Sequence, residues 1–593
     1  MGIKMAQSGR QRGYVLVTVL ILAMVASMVA FVSIRENQLQ ERMSGNQQKM
    51  INARLAAEKG IAAALDYVKA QLANGTDIAT IANNGGIAAL RGNPDVYRLS
   101  NVVYSSADKR LTLLSTGHDV GNDATAQLKA RFELTASGSA LAKGVIGCED
   151  LQVNGGGFID SYDSSKGGYN LNSNRANNAF VALVNGPSIN LQGDPNHTPV
   201  GLSLINGDFI TYNGKIETKG TGSIVSGNVI ANGGVILNQN TSVGGNLTAK
   251  GELTLNSNAQ IHGNAHAGGG FIGNQGTAVD GNVSAESVLL NSDAIIRGNA
   301  TANGNLTLDS TSSQIIGNAS AGTASLKGNI NGSLSVDASS ITVDNQNGHA
   351  LGGINYNATN RPKNSQPSMP EPGALTEYCK QTLASNTWLQ QQLGTLPAGN
   401  YGELNTDSFT NMVSANNKTY SKLNLNGNSN VDRRVIDVTQ NTTLYVTGEI
   451  IMTNLTIRVS QGKSLTIKQV TNGQGKVVDM NDVSIVSTDG SPLGTANNGG
   501  VPPFSLYSDS TDKVNIRAEN GTGNSPMFAA IYAPLARVTA RDGAGELAGS
   551  ILGKIVEIVN KKGFHYDEAL SNAAGGGASS TLKLLSVLDA YPD

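Results

Sequence analysis

Two stretches far apart in the chain concentrate groups able to hold a metal ion or move a proton: FIDSYDSSKGGY at 158–169 and GFHYDEAL at 563–570. Asp160, Asp163, His565, Asp567 and Glu568 offer the oxygen and imidazole donors that coordinate a divalent cation, provided the fold brings them together. Their spacing is irregular. The same residues suit a hydrogen-bonded corner, with Asp and Ser capping turns and Tyr162 and Tyr566 packed between the segments. Nothing else has the pattern of a catalytic apparatus. There are six histidines, no G-x-S-x-G, no H-E-x-x-H, and no glycine-rich phosphate loop opening a helix. His118 sits in GHDVGND, which reads as turn chemistry. The expectation is a protein that is not an enzyme and has no cofactor beyond that candidate metal. Cys148 and Cys379 fit no metal-ligand spacing and are a candidate disulfide if the bulk of the chain lies in an oxidising compartment.

The elements that must position these groups are unusual in composition. The 593 residues carry 42 basic and 44 acidic side chains, a net charge of −2, so there is no general attraction to nucleic acid. Charged residues make up only 15%, aromatics only 5%, and there are 71 glycines. So few large side chains cannot fill a conventional globular core. They suit a thin-walled, repetitive architecture filled by small and β-branched residues.

The N-terminus is different. Lys4, Arg10 and Arg12 precede 21 uncharged residues, Tyr14 to Ile34. As a helix, that run would be about 30 Å long, enough to cross a bilayer and too long for the apolar part of a secretory signal. Beyond Ile34 the sequence stays rich in helix formers, with no proline, to Asn74-Gly75. This predicts one helix of about 60 residues, or about 90 Å. Leu39, Met43, Met50, Leu55, Ile61 and Leu65 recur at loosely helical spacing, and the second half of such a helix must pack against something. Residues 96–135 alternate with period two around turn signals, which suits a small antiparallel sheet lying on the helix.

The segment QRG, followed by the uncharged helix and RENQLQERMSGNQQKMINARLAAEKGI, resembles the N-terminus of PilX-type minor pilins of type IV pilus systems over roughly residues 8–75. The resemblance implies that a prepilin peptidase cuts after Gly13 and leaves Tyr14 as the mature N-terminus. The apolar helix then stays, first in the inner membrane and later in a filament core. It also implies partners: other pilins and the inner-membrane assembly machinery. Major pilins carry Glu at the fifth mature position; here it is Thr18. A carboxylate there pairs with a neighbour's terminal ammonium, which Thr18 cannot do, so a priming or tip subunit and an ordinary PilX-type subunit both remain open. The two polar clusters likewise resemble segments of pilus-assembly proteins with a large β-rich C-terminal region.

A repeat occupies the middle. Gly-Asn pairs begin at 227, 245, 263, 281, 298 and 317, and the fourth residue after each glycine is alanine: Ala231, Ala249, Ala267, Ala285, Ala302 and Ala321. Leucines follow at 237, 255, 290, 308 and 326. An 18-residue strand-rich coil has a perimeter of about 60 Å, or three faces of about six residues: a slim triangular β-solenoid resembling the bactofilin kind. Its glycines are expected to supply turns with positive φ. Calcium-binding nonapeptide repeats are absent.

The predicted fold is therefore α+β and mostly β: a cleavable leader (1–13), the N-terminal helix (14–75), a small α/β head (76–140) and a β-solenoid (141–350). A Pro-rich, partly helical insertion (351–430), a second β-rich region (431–570) that packs against or extends the first, and a C-terminal tail (571–593) would follow. The functional expectation is a minor-pilin-like subunit, anchored by one pass in the inner membrane with its bulk in the periplasm and later displayed on the pilus. Two alternatives are a membrane-anchored adhesin whose flat faces bind glycan, and a bactofilin-like structural protein.

Overall fold

The computed structural model describes residues 12–73, 78–92, 96–105, 110–136, 144–154, 157–169, 173–193, 203–339, 341–344, 349–518, 527–541, 545–559, 563–572 and 580–589. The chain is mostly β and divides into two units: residues 1–137 with 579–593, and residues 138–578.

In the smaller unit one helix runs from Arg12 to Ala73. Residues 1–11 of the expected leader lie outside the described residues. The helix is long and apolar enough to cross a membrane, and Leu16 to Ile34 present their apolar side chains outward. Its last third packs on an antiparallel sheet of Tyr97–Ser105, Arg110–His118 and Thr125–Ala136. Of the recurring apolar residues, Ile61 and Leu65 take part in the packing face. Ala53, Ala57, Ile61, Ala64 and Val68 are buried against Leu111, Leu113, Leu128, Ala130 and Phe132, whereas Leu39, Met43, Met50 and Leu55 are exposed. Backbone proximity is the reason. A Cβ on Gly117 would sit 2.1 Å from the Ala53 carbonyl oxygen, so strand main chain touches helix main chain and only small side chains fit. Ser115 Oγ crosses the same contact to donate to the Ala57 carbonyl at 2.7 Å.

The C-terminal residues expected as a tail include a strand, Ser580–Asp589, which pairs antiparallel with Thr125–Ala136 as the fourth strand of the head. Its partner lies some 450 positions earlier, a separation that local patterning cannot reveal.

The larger unit is a parallel β-solenoid. In its slender part each coil has three short strands, beginning with Val229–Ala231, Val235–Leu237 and Thr241–Val243. Each strand stacks in register on the corresponding strand of the next coil: Val229 on Leu247, Leu247 on Ala265, Ala265 on Val283, and so on to Ile354. The first and third residues of most strands point inward, and the repeated alanines fill the interior beside Leu and Ile.

The repeated glycines are not there for positive φ. They lie where stacked turns meet: a Cβ on Gly245, Gly263 or Gly317 would fall 2.6 Å from main-chain atoms of the glycine one coil below. Left-handed residues sit elsewhere in the coil, at Asn240, Asn258, Gly276 and Asp293, where Asn, Gly and Asp tolerate them. The asparagines of the Gly-Asn pairs tie the turns together. Asn228 Oδ1 accepts from Asn246 N, Asn246 from Asn264 and Asn264 from Asn282, at 2.8–3.0 Å. A second amide ladder climbs through Asn238, Asn256, Asn274 and Asn291.

The second β-rich region begins earlier than expected, at Glu403–Asn405 rather than near 431, and its coils are wider, with strands of up to 14 residues. It continues the same stack, but from the other side. Leu547–Ile558 pairs with Val145–Val153, which in turn pairs with Ala179–Leu183, and Phe564–Asp567 pairs with Ile159–Tyr162. In space the order is therefore 403–567 and then 145–355, with one continuous apolar core. The chain enters and leaves the rod at neighbouring coils.

Candidate functional site

The pairing of Phe564–Asp567 on Ile159–Tyr162 unites the two polar stretches, stacking His565 on Asp160, Tyr566 on Ser161 and Asp567 on Tyr162. His565 and Asp160 are fully buried, and His565 Nδ1 lies 2.6 Å from Asp160 Oδ1. Tyr169 donates its hydroxyl to Asp160 Oδ2 at 2.8 Å while its ring stacks on the imidazole, centroids 3.4 Å apart; Phe158 packs edge-on against the same imidazole. Burial, with the adjacent Asp160 carboxylate, pushes the Tyr169 phenol far above its ordinary range, so it remains a donor.

The other carboxylates have separate tasks. Asp163 caps a 3-10 turn by accepting from Ser165 N at 2.9 Å. Asp567 accepts from Thr495 N at 2.6 Å and Ala569 N at 3.2 Å; burial nevertheless raises its pKa. Glu568 accepts from Ser161 Oγ at 2.7 Å and Asn178 Nδ2 at 3.1 Å. The metal expectation is corrected accordingly. The five residues share one corner, but their oxygens face different protein donors, and among the described residues no group of three or more His, Cys, Asp or Glu is arranged to hold an ion. Tyr162 and Tyr566 are packed into the corner, which closes the junction where the rod's late-sequence coils meet its early ones. A cavity of about 470 Å³ beside it is bordered by Asp163, Ser165, Glu568 and Ser571.

Cys148 and Cys379 are bonded to each other, with Cα atoms 5.2 Å apart. The bond fixes the helical insertion to the entry coil. There Trp388 packs against Tyr378, Tyr507 and Tyr532, and Tyr532 Oη donates to the Tyr378 carbonyl at 2.8 Å.

A further positioning element went unread in the sequence. Residues 361–366 form a strap lying back along the slender coils. Arg361, nearly buried, donates to the carbonyls of Ala302 and Asn303 and to Asp337 Oδ2 at 2.6 Å. Asn364 Nδ2 reaches the Ala267 carbonyl, and Gln366 the Gly268 carbonyl. The run ATNRPKNSQPSMPEP, within the Pro-rich insertion, carries the signal: prolines suit an extended segment that forms no ladder of its own, and side-chain amides and a guanidinium supply the missing contacts.

Gly13 and Tyr14 fall within the first turn of the long helix, and Thr18 in its apolar part. Residues 12–62 match the PilX N-terminal family model, and residues 404–573 match a domain of unknown function, DUF7305. No curated protein matches. A solved structure that does is the competence-associated pilin ComZ from Thermus thermophilus, at 11% identity over 91% of this chain and 97% of that one; its TM-score of 0.23 is too low to carry an argument. The long N-terminal helix thus carries a PilX-type segment over residues 12–62.

Proposed function

We propose that the protein is a minor-pilin-like subunit of a type IV pilus or related filament, and that it displays its solenoid outward for tip formation, priming or surface contact. The observation that carries this reading is the helix Arg12–Ala73: its apolar run is uncovered from Leu16 to Ile34, and the PilX match falls on it. Such a surface is stable only in lipid or against other helices of its kind. In this reading a prepilin peptidase cleaves between Gly13 and Tyr14, the helix holds the subunit in the inner membrane with its bulk in the periplasm, and assembly transfers it into a filament core among other pilins. Thr18, in place of an ionisable residue, favours a position at the end of the filament. The protein performs no catalysis; its polar corner is a structural joint.

The test is N-terminal sequencing of the protein recovered from sheared surface filaments, with immunogold labelling of the same filaments. A mature chain beginning at Tyr14 and labelled at filament ends is the expected result. Recovery only from the inner membrane would favour the bactofilin-like alternative and sink the filament role, and label scattered along the shaft would sink the end position.

A further inference from the structure

The wide part of the rod carries a feature that filament assembly does not require. Its strands Lys513–Ala518 and Met527–Ala540 pair in register, Lys513 on Arg537, Asn515 on Thr539 and Ile516 on Ala540. The ladder continues one residue further, where Arg541 N donates to the Ile516 carbonyl at 2.8 Å, so Arg517 and Arg541 occupy the same column on adjacent coils. On the other side Asn481 pairs with Arg517, and Asp479 with Asn515. Asp479, Asn481, Asn515, Arg517 and Arg541 line, with Val559, a groove of about 410 Å³.

The column is electrostatically odd. Like charges directly opposite on neighbouring strands are destabilising: Arg537, opposite Lys513, is offset by Glu557 at 3.4 Å, and Arg517 and Arg541 share a later position of the column in a chain whose net charge is −2. An oxyanion seated across both guanidiniums would relieve the repulsion, because the planar fork of each matches a carboxylate. Around the guanidiniums stand the hydrogen-bonding side chains that hydroxyl groups need: Asn481, which accepts from Arg517 Nη1 at 3.4 Å, together with Asn515 and Asp479. Among the described residues the lining includes no aromatic ring, which disfavours both stacking of a neutral sugar face and single-stranded nucleic acid. The coils repeat at about 4.8 Å, close to the rise of one pyranose unit in an extended glycan, so successive sugars would meet successive coils.

We infer that this groove binds an acidic polysaccharide, its carboxylates held between Arg517 and Arg541 and its hydroxyls by Asn481, Asn515 and Asp479. The inference rests on the outward display of the rod proposed above only for its biological setting; binding itself is a property of the isolated protein.

The experiment is calorimetric titration of the purified full-length chain in detergent with oligogalacturonate, against neutral dextran and a short DNA duplex. Expected are saturable binding to oligogalacturonate that weakens with added salt, little binding to dextran or DNA, and a loss of about ten-fold or more in Arg517→Ala and in Arg541→Ala, the scale of one charge-assisted hydrogen bond. Arg458→Ala, an exposed residue paired with Asp437 and outside the groove, serves as the control for folding and general charge and should bind as the unaltered chain does. Absence of binding to oligogalacturonate, equal binding to dextran or to DNA, or undiminished binding by both groove variants would each overturn the inference. Incorporation of the Arg541→Ala chain into filaments, scored separately, keeps the two proposals apart: a groove that fails in calorimetry leaves the filament reading standing, and loss of the unaltered chain from filaments leaves the groove standing.

Discussion

The slender and wide parts of the rod share one core and one ladder direction, yet they are built by different rules. In the slender part the same corner recurs coil after coil, and strands of two to four residues leave most of the backbone in turns. Stability there depends on turns that stack: glycine against glycine, and asparagine amide on asparagine amide. In the wide part strands reach 14 residues, and the interior holds Phe504, Phe528, Tyr532 and Ile531. Its turns are free to vary because hydrogen-bonded strand and bulky apolar side chains carry the load. A coil can thus be held by its corners or by its walls, and tolerance to substitution should follow which one is used.

The sharpest break in this comparison should come from glycines. Gly263→Val puts a side chain onto the main chain of Gly245, where nothing flexible can yield. A loss of several kcal/mol, about 3 or more, is expected from the overpacking. Gly462→Ala, in the wide part, meets open space and incurs only the cost of a left-handed φ of 71°, about 1 kcal/mol. Urea unfolding followed by circular dichroism would rank the two, and equal midpoints would abolish the distinction between corners and walls.

Next in size is the disulfide. Cys148→Ser with Cys379→Ser should cost about 2–4 kcal/mol and open the insertion around Trp388 to limited proteolysis while the slender coils stay protected. The strap comes third. Arg361→Ala strips a buried donor from the Ala302 and Asn303 carbonyls, and about 1–3 kcal/mol is expected, with new protease sites between 361 and 373.

The strap also gives a pH effect. The Arg361 hydrogen bond holds the Asp337 carboxyl below its usual range. A depressed folded pKa contributes stability that is present above the ordinary aspartate value and is lost as pH falls through the folded one. Strap protection in hydrogen exchange should therefore decline below about pH 4 and be indifferent to pH between 5 and 8. The smallest effect should be a single rung of the amide ladder: Asn264→Ala removes one acceptor for Asn282 N, worth about 1 kcal/mol.

These two building rules also decide what could be read in advance. The slender coils announce themselves because steric demand at a stacked corner forces the same residues at every turn; Gly227, Ala231 and Leu237 have counterparts in the coils above them. What the corner glycines do was misjudged, since crowding between coils leaves the same signature in a lone sequence as a left-handed turn. Alternation in the wide part exposes its strands, but coil length varies there, and no period marks where it begins at Glu403 or that it abuts Val145. In the head, the eye is drawn to Leu39, Met43 and Met50, yet the sheet lies on alanines; large side chains advertise a surface that a close backbone approach excludes. The two clusters stand out as polar in the sequence, but that they meet, and meet as a hydrogen-bonded joint, follows only from the register of His565 on Asp160.

The rod's spatial order has a bearing on how it is made. Val145–Val153 is among the first rod strands to be synthesised, yet one of its two neighbours, Leu547–Ile558, arrives some 400 residues later. Throughout that interval the nascent rod carries a sticky flank able to recruit any stray strand. Until the last coil slots in, that flank needs cover.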